Sequence, residues 1–133
     1  MKPRALAAAV TARCQSSTFL TYGQGQVEDR PVKGYTVLYY GSGAPFGDRH
    51  SGGANRLRWT VRAKCVGYTV DQLLFVAEQV RSRLLGWSPD PDLSAGWLAE
   101  VDDDPPVLPD DSVAGDVRYS LTLTYTLTTT ARS

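Results

Sequence analysis

One histidine, His50, stands in 133 residues, and only two cysteines, Cys14 and Cys65, accompany it. Catalysis by an imidazole needs a partner that orients the ring, and His50 lies in a glycine-rich stretch with no cysteine near it in sequence. No G-x-S-x-G nucleophile elbow is present, and no G-x-x-x-x-G-K-[ST] phosphate loop. After Gly41 and Gly43 the third glycine of a dinucleotide fingerprint falls on Phe46, so "GSGAPFG" fails that pattern too. These absences point away from an enzyme and imply no cofactor. Two cysteines are too few for a disulfide framework and read as small buried hydrophobes of a reducing compartment.

Long apolar runs are missing as well. Nothing approaches the roughly 20 residues that a membrane helix needs. "ALAAAV" after Lys2 and Arg4 mimics a secretion signal, but its core is only about eight residues long and Thr11 and Arg13 interrupt it. An alanine-rich first helix is the expectation there. Net charge is also lacking, with 14 basic and 14 acidic residues, so the whole chain is no general polyanion binder. The neutrality hides two blocks. Positions 1–83 hold twelve of the basic residues against Glu28, Asp29, Asp48, Asp71 and Glu78, and positions 84–116 hold nine acids and no base. Opposed blocks of this kind suggest surfaces that meet each other, or copies of each other.

What is present is a strong pattern of periods. "RLRWTVRAKCVG", Arg56 to Gly67, alternates Leu57, Trp59, Val61, Ala63 and Cys65 with Arg56, Arg58, Thr60, Arg62 and Lys64, which predicts a strand with one buried face. "VRYSLTLTYTLTTT", Val117 to Thr130, is the longest clean alternation. Tyr35–Tyr40 is β-branched and aromatic throughout, a strand covered on both faces, and Thr18–Tyr22 and Trp97–Val101 are shorter strand candidates. Pro3–Gln15 reads as a helix with a weak stripe of Leu6, Ala9 and Val10. Val70–Leu85 is the clear helix. Thr69 and Gln72 form a capping box, Tyr68 can staple against Leu73, and Gly86 is the stop. Its apolar face is Leu73, Val76, Ala77, Val80 and Leu84. Residues 41–55, with five glycines, and 102–115, acidic and proline-rich, read as loops. The order α-β-β-β-α-β-β predicts a single α+β domain: a mixed, mainly antiparallel β-sheet with two helices packed on one face.

Two groups of side chains call for partners. Arg56, Arg58, Arg62 and Lys64 share the wet face of one strand with no acid between them. They fit either a polyanion such as DNA, held through its phosphates, or the acidic segment of a neighbouring copy: Asp102, Asp103, Asp104, Asp110 and Asp111. Those acids are contiguous or separated by Pro105, Pro106 and Pro109, unlike the alternating ligands of a calcium loop, so no metal site is expected. Phe75 opposes the apolar stripe of its helix and fits a second contact patch. Phe46, Arg49 and His50 lie in the long glycine-rich loop and suit a partner-contacting role.

"RLRWTVRAKCVGYTVDQLLFVAEQVRSRLLGW", an acidic loop, and "GDVRYSLTLTYTLTTT" together resemble the small tail-terminator (tail-completion) proteins of long-tailed bacteriophages of actinobacterial hosts. The likeness runs from the alanine-rich first helix to the terminal strand. It implies a non-enzymatic virion protein, assembled in the host cytoplasm and placed at the head–tail junction. It implies a homohexameric ring that caps the tail tube, ends its polymerisation and offers the surface for joining the head. The implied partners are further copies of the chain, the tail tube protein and a head–tail connector or neck protein, with passing DNA a non-specific contact. Head-closure and other neck proteins of such virions have similar size and are the nearest alternative. A small monomeric nucleic-acid-binding module is the alternative that the basic stripe alone suggests.

Overall fold

The long, little-interrupted alternation on β4 (Arg56–Gly67) needs an equally long partner, and the terminal strand β7 (Arg118–Thr130) supplies it. In the computed structural model the two pair antiparallel along their full length, from Arg56↔Thr130 to Gly67↔Tyr119. Residues 3–15, 19–23, 31, 33–46, 56–89, 96–101, 104–110 and 117–130 are described. Directly opposed residues share a face. Trp59, Val61, Ala63 and Cys65 therefore line up with Leu127, Tyr125, Leu123 and Leu121, and all eight are buried.

β2 (Tyr35–Tyr40) pairs antiparallel with the other edge of β4, and β1 (Leu20–Gly23) runs parallel to β2. β5 (Ala99–Glu100) continues beyond β7, giving the order β1-β2-β4-β7-β5. The sheet is mixed and mainly antiparallel, and the chain is α+β, as its periodicity predicts. Two further short strands fall inside segments expected to be loops. β3 (Ala44–Phe46) pairs with the first residues of β4, and β6 (Leu108–Asp110) pairs with the start of β7. Each is three residues long and carries a proline, Pro45 or Pro109, which a sheet tolerates on an edge. Local sequence does not favour these strands; the open edges of β4 and β7 create them. The strand expected over Trp97–Val101 shrinks to two residues for a related reason. The Leu98 N–H donates to Trp87 O (2.9 Å) and Gly86 N–H donates to Leu98 O (2.9 Å), which ties that end to the exit of the second helix.

α2 (Val70–Leu84) buries the five residues of its stripe against β4, β7 and β2. The Gln72 N–H donates to Thr69 Oγ1 (3.1 Å), while Gln72 Oε1 accepts from the Tyr68 N–H (2.7 Å), one residue earlier than a standard capping box. At the other end Leu85 is the C-cap and Gly86, at φ 75°, takes the left-handed conformation that stops the helix.

α1 (Pro3–Cys14) has a poor apolar stripe and places only Leu6, Val10 and Cys14 in the core, on the α2 side of the sheet. Two arginines reinforce it. Arg13 Nε donates to Arg83 O (2.9 Å), and Arg83 Nη1 donates to Arg13 O (3.3 Å) and Gln15 O (2.8 Å). Each helix thus sends a cation to the unsatisfied carbonyls at the C-terminal end of the other, where the helix dipole favours positive charge.

Cys14 and Cys65 are free and buried. Burial pushes both thiols up to about 12 from an ordinary 9.0. Above pH 9.0 the unfolded chain releases thiol protons that the folded chain keeps until about 12, so stability present below pH 9.0 is lost across that interval. An aromatic disulfide reagent is expected to leave both thiols unmodified in the folded protein and to titrate both in denaturant. Rapid modification without denaturant would contradict the burial.

Candidate interaction surface

The face of the sheet turned away from the helices divides into two halves of different chemistry. Under β1 and β2 it is apolar and aromatic. Tyr35, Val37 and Val66 are buried there, with Leu20 and Tyr22 packed against them. Arg118 closes this half. Its guanidinium donates to Tyr35 Oη (2.7 Å) and sits 5.9 Å and 5.5 Å from the ring centres of Tyr35 and Tyr68, a cation held between two π-faces. No local pattern signals that role, because Tyr35 and Tyr68 become neighbours of Arg118 only through strand pairing.

Over β4 and β7 the same face is cationic and hydroxylated. Arg58, Arg62 and Lys64 are exposed. The register sets Thr128 beside Arg58, Thr126 beside Thr60, Thr124 beside Arg62 and Thr122 beside Lys64. The Thr126 hydroxyl is used within the fold, donating to Trp59 O (3.2 Å). Neither β2, β4 nor β7 contains an aspartate or glutamate. Positions two apart on a strand are about 6.6 Å apart, so Arg62 and Lys64 repel by about 0.6 kcal/mol in water. Nothing along these three strands offsets that repulsion. Arg56 occupies the next position of the row, opposite Thr130 and Phe46, and its backbone and that of Phe46 are held by pairing. The side chains of Arg56, Phe46 and Asp110 lie outside the described residues, as do Arg49, His50, Asp102, Asp103 and Asp111 altogether.

Asp104 lies on the opposite side of the molecule. It is exposed at a cavity of about 300 Å³ between α2 and the β7 edge, with Glu78 and Arg81 on the helix side and Val107 and Leu121 on the other. The cationic face and Asp104 therefore do not oppose each other within one chain. Beneath this cavity wall Arg81 forms a two-point ion pair with Glu100 (2.9 and 3.2 Å), whose carboxylate is only 7% exposed. Glu100 is also in register with Tyr125. Burial, and then the Glu100 charge, pushes the Tyr125 phenol above its ordinary range, and its hydroxyl has no hydrogen-bond partner among the described residues.

Leu74 and Phe75 project from α2 on this helix side, Phe75 being 41% exposed. Trp97 and Val101 flank β5 in the phase of Ala99, which pairs with Thr126, so they border the opposite, cationic face; Trp97 is 65% exposed. Phe75 is where its helical phase puts it, away from the buried stripe. No group of three His, Cys, Asp or Glu able to hold a metal ion occurs among the described residues, and none of their helices is long and apolar enough to cross a membrane.

The chain matches no protein-family model and none of the curated proteins. Its function has to be read from its surfaces.

Proposed function

We propose that this chain is a structural component of a bacteriophage tail, which assembles with copies of itself into a ring that ends the tail tube and receives the head. The observation that carries the reading is the pair of unlike surfaces on opposite sides of one sheet. The exposed apolar side chains Leu74 and Phe75 of α2 suit contact between copies, because the centre of a protein–protein interface is apolar and aromatic. A contact between different patches of neighbouring copies closes into a ring when the rotation between them allows. The quoted resemblance adds weight, since its segments are β4, α2 and β7, the elements that carry both surfaces.

Light scattering over a range of concentrations tests this. The expected mass is a multiple of the 14.5 kDa chain, six-fold for a hexamer. The double substitution Leu74→Glu and Phe75→Glu is expected to return it to the single-chain mass with an unchanged far-ultraviolet spectrum, because both side chains are exposed. A single-chain mass at every concentration would overturn the proposal. Mixing the ring with tail tubes and with DNA-filled heads of the same virus separates the tail-terminator reading from the head-closure one: the former predicts capture by tube ends.

A further inference from the structure

We infer that the β4–β7 half of the outer sheet face docks the phosphate backbone of a nucleic acid without reading its sequence. The inference deepens the proposed function but does not need the ring. From Arg58 to Lys64 the cations span about 20 Å of strand. A duplex presents one negative charge per roughly 1.7 Å of its axis, so it can satisfy such a row in any axial register. Cations and hydroxyls are the side-chain groups that contact phosphate oxygens, and such contacts position the protein without specifying bases. Here Arg62 and Lys64 alternate across the register with Thr124 and Thr122, and all four lie on one face.

The other occupant consistent with positive charge is an acidic segment of a second copy, and the composition of the face disfavours it. Protein–protein interfaces concentrate apolar and aromatic groups at their centre and are poor in lysine. This half has its cations at the centre, and Tyr39 stands at its border, in register with Arg62. Trp97 and Val101 stand at its other border, beside β5, and the exposed apolar groups Leu74 and Phe75 lie on α2, across the sheet.

The test is fluorescence anisotropy of the full chain with a labelled random-sequence duplex of roughly 30 base pairs, between 50 and 200 mM salt, with the mass of each sample read by light scattering. With three phosphate contacts per chain, the logarithm of affinity should fall against that of salt with a slope of about −2.7 or steeper, a loss of roughly 40-fold or more over this range. A second duplex of unrelated sequence should bind equally. Combining Arg62→Glu with Lys64→Glu should weaken binding by at least tenfold and flatten the slope by about 2, with the mass unchanged. Arg4→Glu, the same kind of charge reversal on exposed α1, should stay within about twofold of the parent, because its contribution is non-local and screened. Three results would overturn the inference: the double variant binding as the parent does, Arg4→Glu losing as much, or the double variant changing mass while retaining the duplex. The last would make this face a contact between copies. A single-chain mass with intact, Arg62- and Lys64-dependent binding would end the ring and leave this inference standing.

Discussion

Gly67→Ala is expected to destabilise the fold by about 3 kcal/mol. Gly67 ends β4, and a Cβ there would stand 2.5 Å from Leu73 N, 2.9 Å from Leu73 Cα and 3.0 Å from the Gln72 carbonyl carbon. All three are backbone atoms of the first turn of α2, so no rotamer change relieves the clash. Either the helix start moves away from the sheet, opening the core around Leu73, or β4 gives up its pairing with Tyr119. Overpacking against fixed backbone costs about 3 kcal/mol, the upper end of the usual range, a large share of the 5–15 kcal/mol that holds a domain of this size. Gly34→Ala is the useful contrast. Its Cβ would meet side-chain atoms, Val76 Cγ2 at 2.7 Å and Gln72 Cγ at 3.1 Å. Gln72 can swing aside at the expense of its bond from Tyr68, so a smaller loss of about 1–2 kcal/mol is expected. Urea midpoints order the two; Gly67→Ala within about 1 kcal/mol of the parent would show that the helix start is not pressed on the sheet.

Trp59→Ala should cost at least as much, about 3–5 kcal/mol. Trp59 is among the largest fully buried side chains, stacked on Tyr40 with ring centres 6.0 Å apart and planes 12° from parallel. Its Nε1–H donates to Gly41 O (2.8 Å), while the Gly41 N–H donates to Thr60 O (2.8 Å). Gly41 is thereby fixed to β4 in both directions as the chain leaves β2. Trp59→Phe separates the two contributions. It keeps most of the apolar volume and removes the indole donor, so it should cost only about 1–3 kcal/mol. Denaturant midpoints and near-ultraviolet dichroism check both variants. Duplex binding should survive in Trp59→Phe, because the indole lies on the buried face and Arg62 and Lys64 on the other.

The long strands and the second helix were legible because their signals are local. A period of two over Arg56–Gly67 and over Val117–Thr130 states which side of each strand is wet. Thr69, Gln72 and Gly86 mark the ends of α2 within a few residues of chain. The cations of β4 were readable for the same reason: a strand that buries Trp59, Val61, Ala63 and Cys65 has no choice but to display Arg58, Arg62 and Lys64. β3 and β6 were not legible, since Ala44–Phe46 and Leu108–Asp110 pair only where another strand leaves an edge open. The short extent of β5 was hidden likewise, its flank being drawn to the exit of α2.

By itself, then, the sequence determined the faces of this protein: what each long element buries, what it exposes, and where α2 starts and stops. Only the tertiary structure decided which faces are neighbours. It set four threonine positions of β7 along the β4 row, drew Arg118 between Tyr35 and Tyr68, and carried Asp104 to the helix side, across the sheet from the cations. Periodicity and capping are properties of adjacent residues, whereas strand order and the path of a loop depend on packing between segments far apart in the chain.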